Sequence, residues 1–327
     1  MSPGILPVAL SAQASTKSNS SVPRATPTPE QIKEIETLLD QAEKQSEIAM
    51  YNEAYDLASN GLVKAESAGY IKGIALSHNI IGTIYYRQRI LPKAKESLNT
   101  SLLISEENNL QPVIASNKMY LGALNSVEGK ADEGMRLVNE ALDMFNGLGD
   151  IKGQGIAHLH LGGIHRSQGR LDQALEHYNT AYKLSEQISY TWGMASSLGG
   201  IGTIYATRGQ HDEARKYFTD GLNLWQKMGN KSGIADTYHH IGTVHFLKAN
   251  YTDALSHYLN SLKLRQELDD SIKIAESYHD IGHIYFKQNQ YEEALINYEK
   301  ALKIFKEAGI KQRIGIAHNS LGNTYSE

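Results

Sequence analysis

The sequence predicts an all-α fold, a right-handed superhelical solenoid of antiparallel helix pairs, on three observations. Glycine falls at positions 82, 122, 162, 202, 242, 282 and 322, a period of 40 without slippage. Each unit carries two stretches of about 15 residues with apolar positions at i, i+3, i+4 and i+7, the pattern of amphipathic helices. Turn-forming residues separate the stretches at regular intervals. Units of this length cannot bury their apolar faces alone and must stack on their neighbours.

Taken in chain order, residues 1–27 come first. They are rich in Ser, Thr, Pro and Ala and lack helical periodicity, so they read as a disordered leader that cannot offset the entropy of ordering. Within them the apolar patch Ile5 to Leu10 precedes Ala12-Gln13-Ala14, which also reads as a secretory-signal remnant. A leader fits a cytoplasmic protein; a signal remnant fits a periplasmic or other extracytoplasmic one. Thr28-Pro29-Glu30-Gln31 is a capping box with proline at the first helical position and starts the first helix. Seven units are expected over 28–310, and residues 311–327 are expected to form the first helix of an incomplete eighth. Gly129, Gly169, Gly209 and Asn289 mark turns within pairs. Gly69, Asn109, Gly149, Gly229 and Gly309 mark turns between pairs, all residues that tolerate the left-handed conformation ending a helix.

The units share more than glycine. Ile or Leu precedes each one, as Ile81, Leu121 and Leu161 do. Twelve residues after the glycine comes a small residue (Ala94, Gly134, Ala174, Ala214, Ala254, Ala294). Four later comes a bulky one (Leu98, Val138, Tyr178, Phe218, Tyr258, Tyr298), then a small one three further on. Seven mid-helix glycines sacrifice roughly 7 kcal/mol of helix propensity. Close approach of the paired helix is the expected compensation, with the small residue at Ala174 or Ala254 matching each glycine from the other side.

These spacings resemble the tetratricopeptide repeat, whose signature runs L-G-x-x-Y, then Ala, an aromatic and a further Ala. The resemblance covers residues 28–327. The period is 40 and not 34, which is similar to repeats of kinesin light chains, receptor-coupled G-protein regulators and bacterial signalling proteins. The proline that often closes the shorter repeat is absent. HEAT and armadillo repeats have a comparable period but lack this Gly-to-Ala spacing.

The resemblance implies that first helices line a concave groove. Its inward face should carry Asn79, Thr83, Tyr86 and Arg87, then Arg166 and Thr203. Further along come His239, Thr243 and Phe246, then His279, His283 and Phe286, and finally Asn319 and Asn323. The implied partner is a protein or peptide. Aromatic residues such as Phe246 and Phe286 on an open face argue for a covering partner. The basic and amide pattern that clamps chaperone termini is absent, because Arg87, Arg166 and Lys287 are scattered and Asp236 and Glu276 share the groove.

Thirteen histidines are placed unevenly. His279 and His283 stand four apart on one helix face, the spacing of helical metal sites, and His239 is their counterpart one unit earlier. With Asp236 and Glu276 they form a metal candidate, set against a pH-responsive surface and, the reading adopted, ordinary groove lining with no metal. His158, His177, His211 and His257 read as solvated or partly packed residues.

Composition excludes further classes. The net charge of −4 and the absence of a basic stripe argue against nucleic acid. No apolar run approaches the ~20 residues of a membrane span. With no cysteine, disulfides and thiolate chemistry are excluded. Gly199-Gly200-Ile201-Gly202 lies in a helical register without a preceding strand and is no nucleotide loop. Glu292 and Glu293 start a second helix and complement its dipole. No enzyme and no cofactor are expected. Two functions remain: a scaffold binding a protein or peptide in its groove, or the sensory region of a larger, bacterial-type signalling protein continuing beyond residue 327.

Overall fold

Fifteen helices account for nearly all of residues 26–327, the span that the computed structural model describes. The leader pattern at Ile5 to Leu10 and Ala12-Gln13-Ala14 lies outside the described residues. In chain order the helices are α1 (Pro29–Glu47), α2 (Tyr51–Ala68), α3 (Ile71–Arg87), α4 (Leu91–Glu107) and α5 (Gln111–Val127). They continue as α6 (Ala131–Leu148), α7 (Ile151–Ser167), α8 (Leu171–Gln187), α9 (Thr191–Thr207) and α10 (His211–Met228). The last five are α11 (Lys231–Leu247), α12 (Tyr251–Glu267), α13 (Ser271–Lys287), α14 (Tyr291–Glu307) and α15 (Lys311–Tyr325). The Thr28 capping box forms as expected: the hydroxyl accepts from Gln31 N and the Gln31 side chain accepts from Thr28 N.

Helices end on a stricter rhythm than the glycines announce. A residue with φ between 52° and 85° recurs every 20 positions, from Ala49 to Gly309. Each of the nine expected turn residues is among them. Ala49, Arg89, Ser189, Ala249 and Asp269 adopt the same conformation without being glycine or asparagine. The following N–H bonds back five residues, as Tyr70 N does to Ala65 O at 2.8 Å and Ile90 N to Tyr85 O at 2.9 Å. That closure satisfies carbonyls left over at the helix end, and it holds a side chain where local preference alone would not.

Each odd-numbered helix from α1 to α13 packs antiparallel on the even-numbered helix after it, α15 packs on α14, and the pairs stack into a right-handed superhelix. Odd helices also pack on the next odd helix along most of the array, whereas even helices make no comparable contact among the described residues. The odd helices are therefore the inner ring. Their mutual packing thins beyond α9.

The repeated glycines sit where the paired helix is closest, but the partner differs from expectation. A Cβ at Gly162 would lie 2.8 Å from the Tyr178 ring, at Gly202 2.7 Å from Phe218, and at Gly282 2.9 Å from Tyr298. At Gly82 it would meet Leu98, and at Gly242 Tyr258, both at 2.7 Å. The bulky residue sixteen positions on fills each notch, and Ala174 and Ala254 are not the primary match. The alanines are fully buried because the helix behind the knob must also come close. Gly122 is the exception, since a Cβ there would lie 2.7 Å from the Gly134 carbonyl and 2.8 Å from Val138. Gly322 has nothing within 4 Å and plays no such part among the described residues.

Candidate functional site

The inner face divides into two regions. In the first, the superhelix curls so tightly that the end of α1 meets helices three to five pairs further on. Lys152, at the start of α7, reaches Glu43 at 2.8 Å and Glu47 at 2.9 Å. Tyr190, capping α9, donates its hydroxyl to Glu47 Oε1 at 2.8 Å, and its ring lies 4.7 Å from the Lys152 ammonium. Asn230, capping α11, donates from Nδ2 to the Glu47 carbonyl at 2.7 Å while its Oδ1 accepts from Gly233 N. Burial pushes the Tyr51 hydroxyl above its ordinary value, within electrostatic reach of Arg87, Lys273 and Asp236. A solenoid whose units touch only neighbours would make none of these contacts.

Behind this closure lie Tyr86 and Arg87. The Tyr86 ring stands edge-on to Tyr120 at 5.6 Å and to His160 at 5.9 Å. The Arg87 guanidinium covers Trp192 at 4.8 Å, and its Nη1 is buried without a hydrogen-bond partner among the described residues. Asn79 has both side-chain polar atoms engaged: Nδ2 donates to Asn117 Oδ1 at 2.8 Å, and Oδ1 accepts from Ser116 at 3.1 Å. Asn117 continues the buried chain to Ser101, which ends on the Ala75 carbonyl. Thr83 and Thr203 bond back to the carbonyls of Asn79 and Gly199. A cavity of about 250 Å³ opens beside these groups.

The second region is the face of α11, α13 and α15. His239 Nδ1 lies 3.6 Å from Asp280 Oδ2, and His279 Nδ1 lies 3.8 Å from Asp280 Oδ1. These are ion-pair distances too long for hydrogen bonds. His279 Nε2 meets Ser320 Oγ at 3.0 Å. Burial pushes the His239 imidazole below its ordinary value despite Asp280. His239, His279 and Asp280, together with Glu276 and Arg313, line a second cavity, of about 200 Å³. Thr243 bonds the His239 carbonyl and lies 3.1 Å from the Tyr258 hydroxyl. Arg166, Asn319 and Asn323 are exposed.

The metal candidate does not assemble. His283 turns away from His279 and rests against Phe246, ring centres 5.0 Å apart. Asp236 is engaged by Lys273 at 2.8 Å and Arg265 at 3.2 Å; burial opposes its ionisation, but the two cations hold its carboxyl below the usual range. Glu276 pairs with Arg313 at 2.5 Å. Among the described residues no group of three or more His, Asp and Glu could hold a metal ion. Phe246 and Phe286 each lie against a tyrosine, Tyr251 and Tyr291, with ring centres 5.7 and 5.8 Å apart, and are half-buried.

The tetratricopeptide repeat family matches residues 153–227 and 233–307. Those two stretches are tetratricopeptide repeats in sequence as well as in fold. No curated protein matches it in sequence. Among solved structures it is similar to a signal transduction ATPase with numerous domains, bearing a tetratricopeptide repeat sensor, from Pyrococcus horikoshii. That likeness has 18% identity and a TM-score of 0.67 over 86% of this chain and 43% of that one, so this chain spans under half its length. It is also similar to a Rap protein complexed with competence and sporulation factor (11%, 0.60, 90% and 98%). The apo quorum sensor NprR from B. thuringiensis is another (16%, 0.56, 87% and 80%). At these identities the likeness is one of fold. Tetratricopeptide repeats as a class are typical of protein-interaction and of regulatory or sensor domains, are a non-catalytic scaffold family, and bind proteins or peptides. No helix among the described residues is long and apolar enough to cross a membrane.

Several partners are not apparent from the sequence pattern. Asp280 stands between two repeat histidines and is findable there only as the residue after His279. Lys273 and Arg313 follow Asp236 and Glu276 by 37 positions, a periodic acid–base pairing that the register does contain. His158 and His177 are partly packed, the second of the two expected environments: their Nδ1 atoms are 2.9 Å apart, and His165 stacks on His177 at 5.1 Å. His257 likewise stacks on His245 at 5.3 Å.

Proposed function

We propose that this protein is an interaction module that binds a peptide or protein segment on the inner face of α11, α13 and α15, with no catalytic step of its own. The observation that carries this reading is the polar cluster of His239, His279 and Asp280 lining a cavity on the inner ring, where His239 Nδ1 has no hydrogen-bond partner among the described residues. A donor or acceptor from a docked backbone would complete it. Thr243, His283, Asn319 and Asn323 flank the cluster on the same helices and extend the contact surface. The closed region around Asn79, Tyr86 and Arg87 is left out of the peptide path.

The test compares wild type with a His239→Ala, His279→Ala, Asn319→Ala variant in a pull-down, after melting curves show that both are folded. Loss of a discrete set of partners supports the reading, and identical sets would sink it. A second reading, a sensory region within a longer signalling protein, is favoured by the likeness to the sensor-bearing ATPase, of which this chain spans 43%. The reading frame downstream of codon 327 decides it: an effector domain supports a sensor, a prompt stop codon the free-standing module.

A further inference from the structure

The cavity near the closure has features that a peptide path does not use. Its volume is about 250 Å³, and its walls are apolar where Leu76, Ile80, Met119, Phe145 and Ile156 face it. Its polar rim includes Ser46, Thr83, Ser116 and Arg87. Two rim atoms, Arg87 Nη1 and Ser46 Oγ, are buried with no hydrogen-bond partner among the described residues. A buried donor left unpaired is unfavourable, and for a permanently charged guanidinium more so. No carboxylate pairs with Arg87 among the described residues, although Glu43 and Glu47 are close by, because both are held by Lys152. Contact with the Trp192 ring, 4.8 Å from the Arg87 Cζ, holds the guanidinium beside the cavity and leaves its N–H groups for an anion.

We infer that this cavity binds a small organic acid, its carboxylate on the Arg87 edge and its aromatic or branched aliphatic body between α3, α5 and α7. A single negative charge fits best, since of the two lining cations Lys152 is already held by Glu43 and Glu47, leaving Arg87, while the lining carboxylate Asp150 repels a dianion. The volume exceeds the ~150 Å³ that a cavity needs to take benzene, so a body of phenyl size fits. The Glu47 contacts with Lys152, Tyr190 and Asn230 close the inner face at this level, so a free acid suits the site and the end of a polypeptide does not. The site lies apart from α11, α13 and α15, and its failure would leave the peptide reading untouched.

The chain has two tryptophans. Trp192 lies under Arg87, and the Trp225 ring is 6.3 Å away from it, so intrinsic fluorescence reports on the site directly. Phenylacetate titrated into the full chain is expected to shift tryptophan emission saturably, with a Kd below about 1 mM. Phenylacetamide, identical in shape but uncharged, should bind at least about tenfold more weakly. Arg87→Met should abolish the response, and Met119→Phe, which narrows the cavity from the opposite wall, should weaken it while sparing the arginine. Equal binding of acid and amide by the wild type overturns the inference whether or not the variants fold. So does the absence of any saturable response up to about 10 mM. Tighter binding of Ala-Ala-Phe with a free carboxylate than of phenylacetate would overturn the small-acid assignment in favour of a peptide end.

Discussion

Substituting Gly202 with alanine should destabilise the solenoid, while the same substitution at Gly199, one turn earlier in α9, should stabilise it. Both positions are helical, so each gains about 1 kcal/mol of helix propensity. They differ in what the new methyl group meets. At Gly199 nothing lies within 4 Å. At Gly202 the methyl would stand 2.7 Å from the Phe218 ring, which is 1% exposed and stacked on His240 at 5.1 Å, so it has no room to retreat. Overpacking of this kind costs about 1–3 kcal/mol. Because the propensity gain is common to both variants, the difference between them isolates the packing term. Urea unfolding of a repeat array is not strictly two-state, so hydrogen exchange of the α9 and α10 amides gives the local readout. The expected gap is about 1–3 kcal/mol in favour of Gly199→Ala. Equal stabilisation by the two substitutions would refute the knob-in-notch account of the repeated glycine.

Other perturbations test the interior. Burial pushes the imidazoles of His160 and His240 down to about 4, with Arg87 facing the first and His239 near the second. Unfolded histidine titrates near 6.5, so between these values the unfolded chain binds protons that the folded one refuses. Stability is therefore complete above about pH 6.5 and falls toward pH 4, on the order of 2–3 kcal/mol for each residue; denaturation at pH 7, 5.5 and 4.5 checks it. Asp236→Ala removes the carboxylate facing the buried Arg265, but Asp236 is itself 38% exposed and Arg265 keeps Ser277 and the Lys273 carbonyl, so the cost in chemical denaturation should be about 1–2 kcal/mol.

Much of this architecture is legible in the sequence because it repeats. The glycine, the preceding Ile or Leu and the bulky residue sixteen positions on are local signals, and each unit votes for the same two helices. The Thr28 capping box and the nine turn residues are equally local. Ala49, Arg89, Ser189, Ala249 and Asp269 are not, since the left-handed conformation there is imposed by helix closure and neighbour packing. The Glu47 contacts to Lys152, Tyr190 and Asn230 lie beyond reach for another reason. They depend on the rotation between successive pairs, a small angle that accumulates over several units and that no single unit encodes. The fate of His283 against Phe246, and of Asn79 against Asn117, follows from that same curvature, because it decides which inward side chains meet one another before any partner arrives.

That curvature is open to direct measurement, helped by a chain without cysteine. Spin labels on cysteines placed at the exposed positions Met50 and Lys231 flank the Glu47–Asn230 contact, and their separation can be read by pulsed dipolar spectroscopy. A ring closed at this level predicts a narrow distribution below about 25 Å, whereas five helix pairs laid out at ~10 Å each would place the labels about 50 Å apart. A dominant population at the longer distance would contradict the closed inner compartment and, with it, the division of the face into two binding regions.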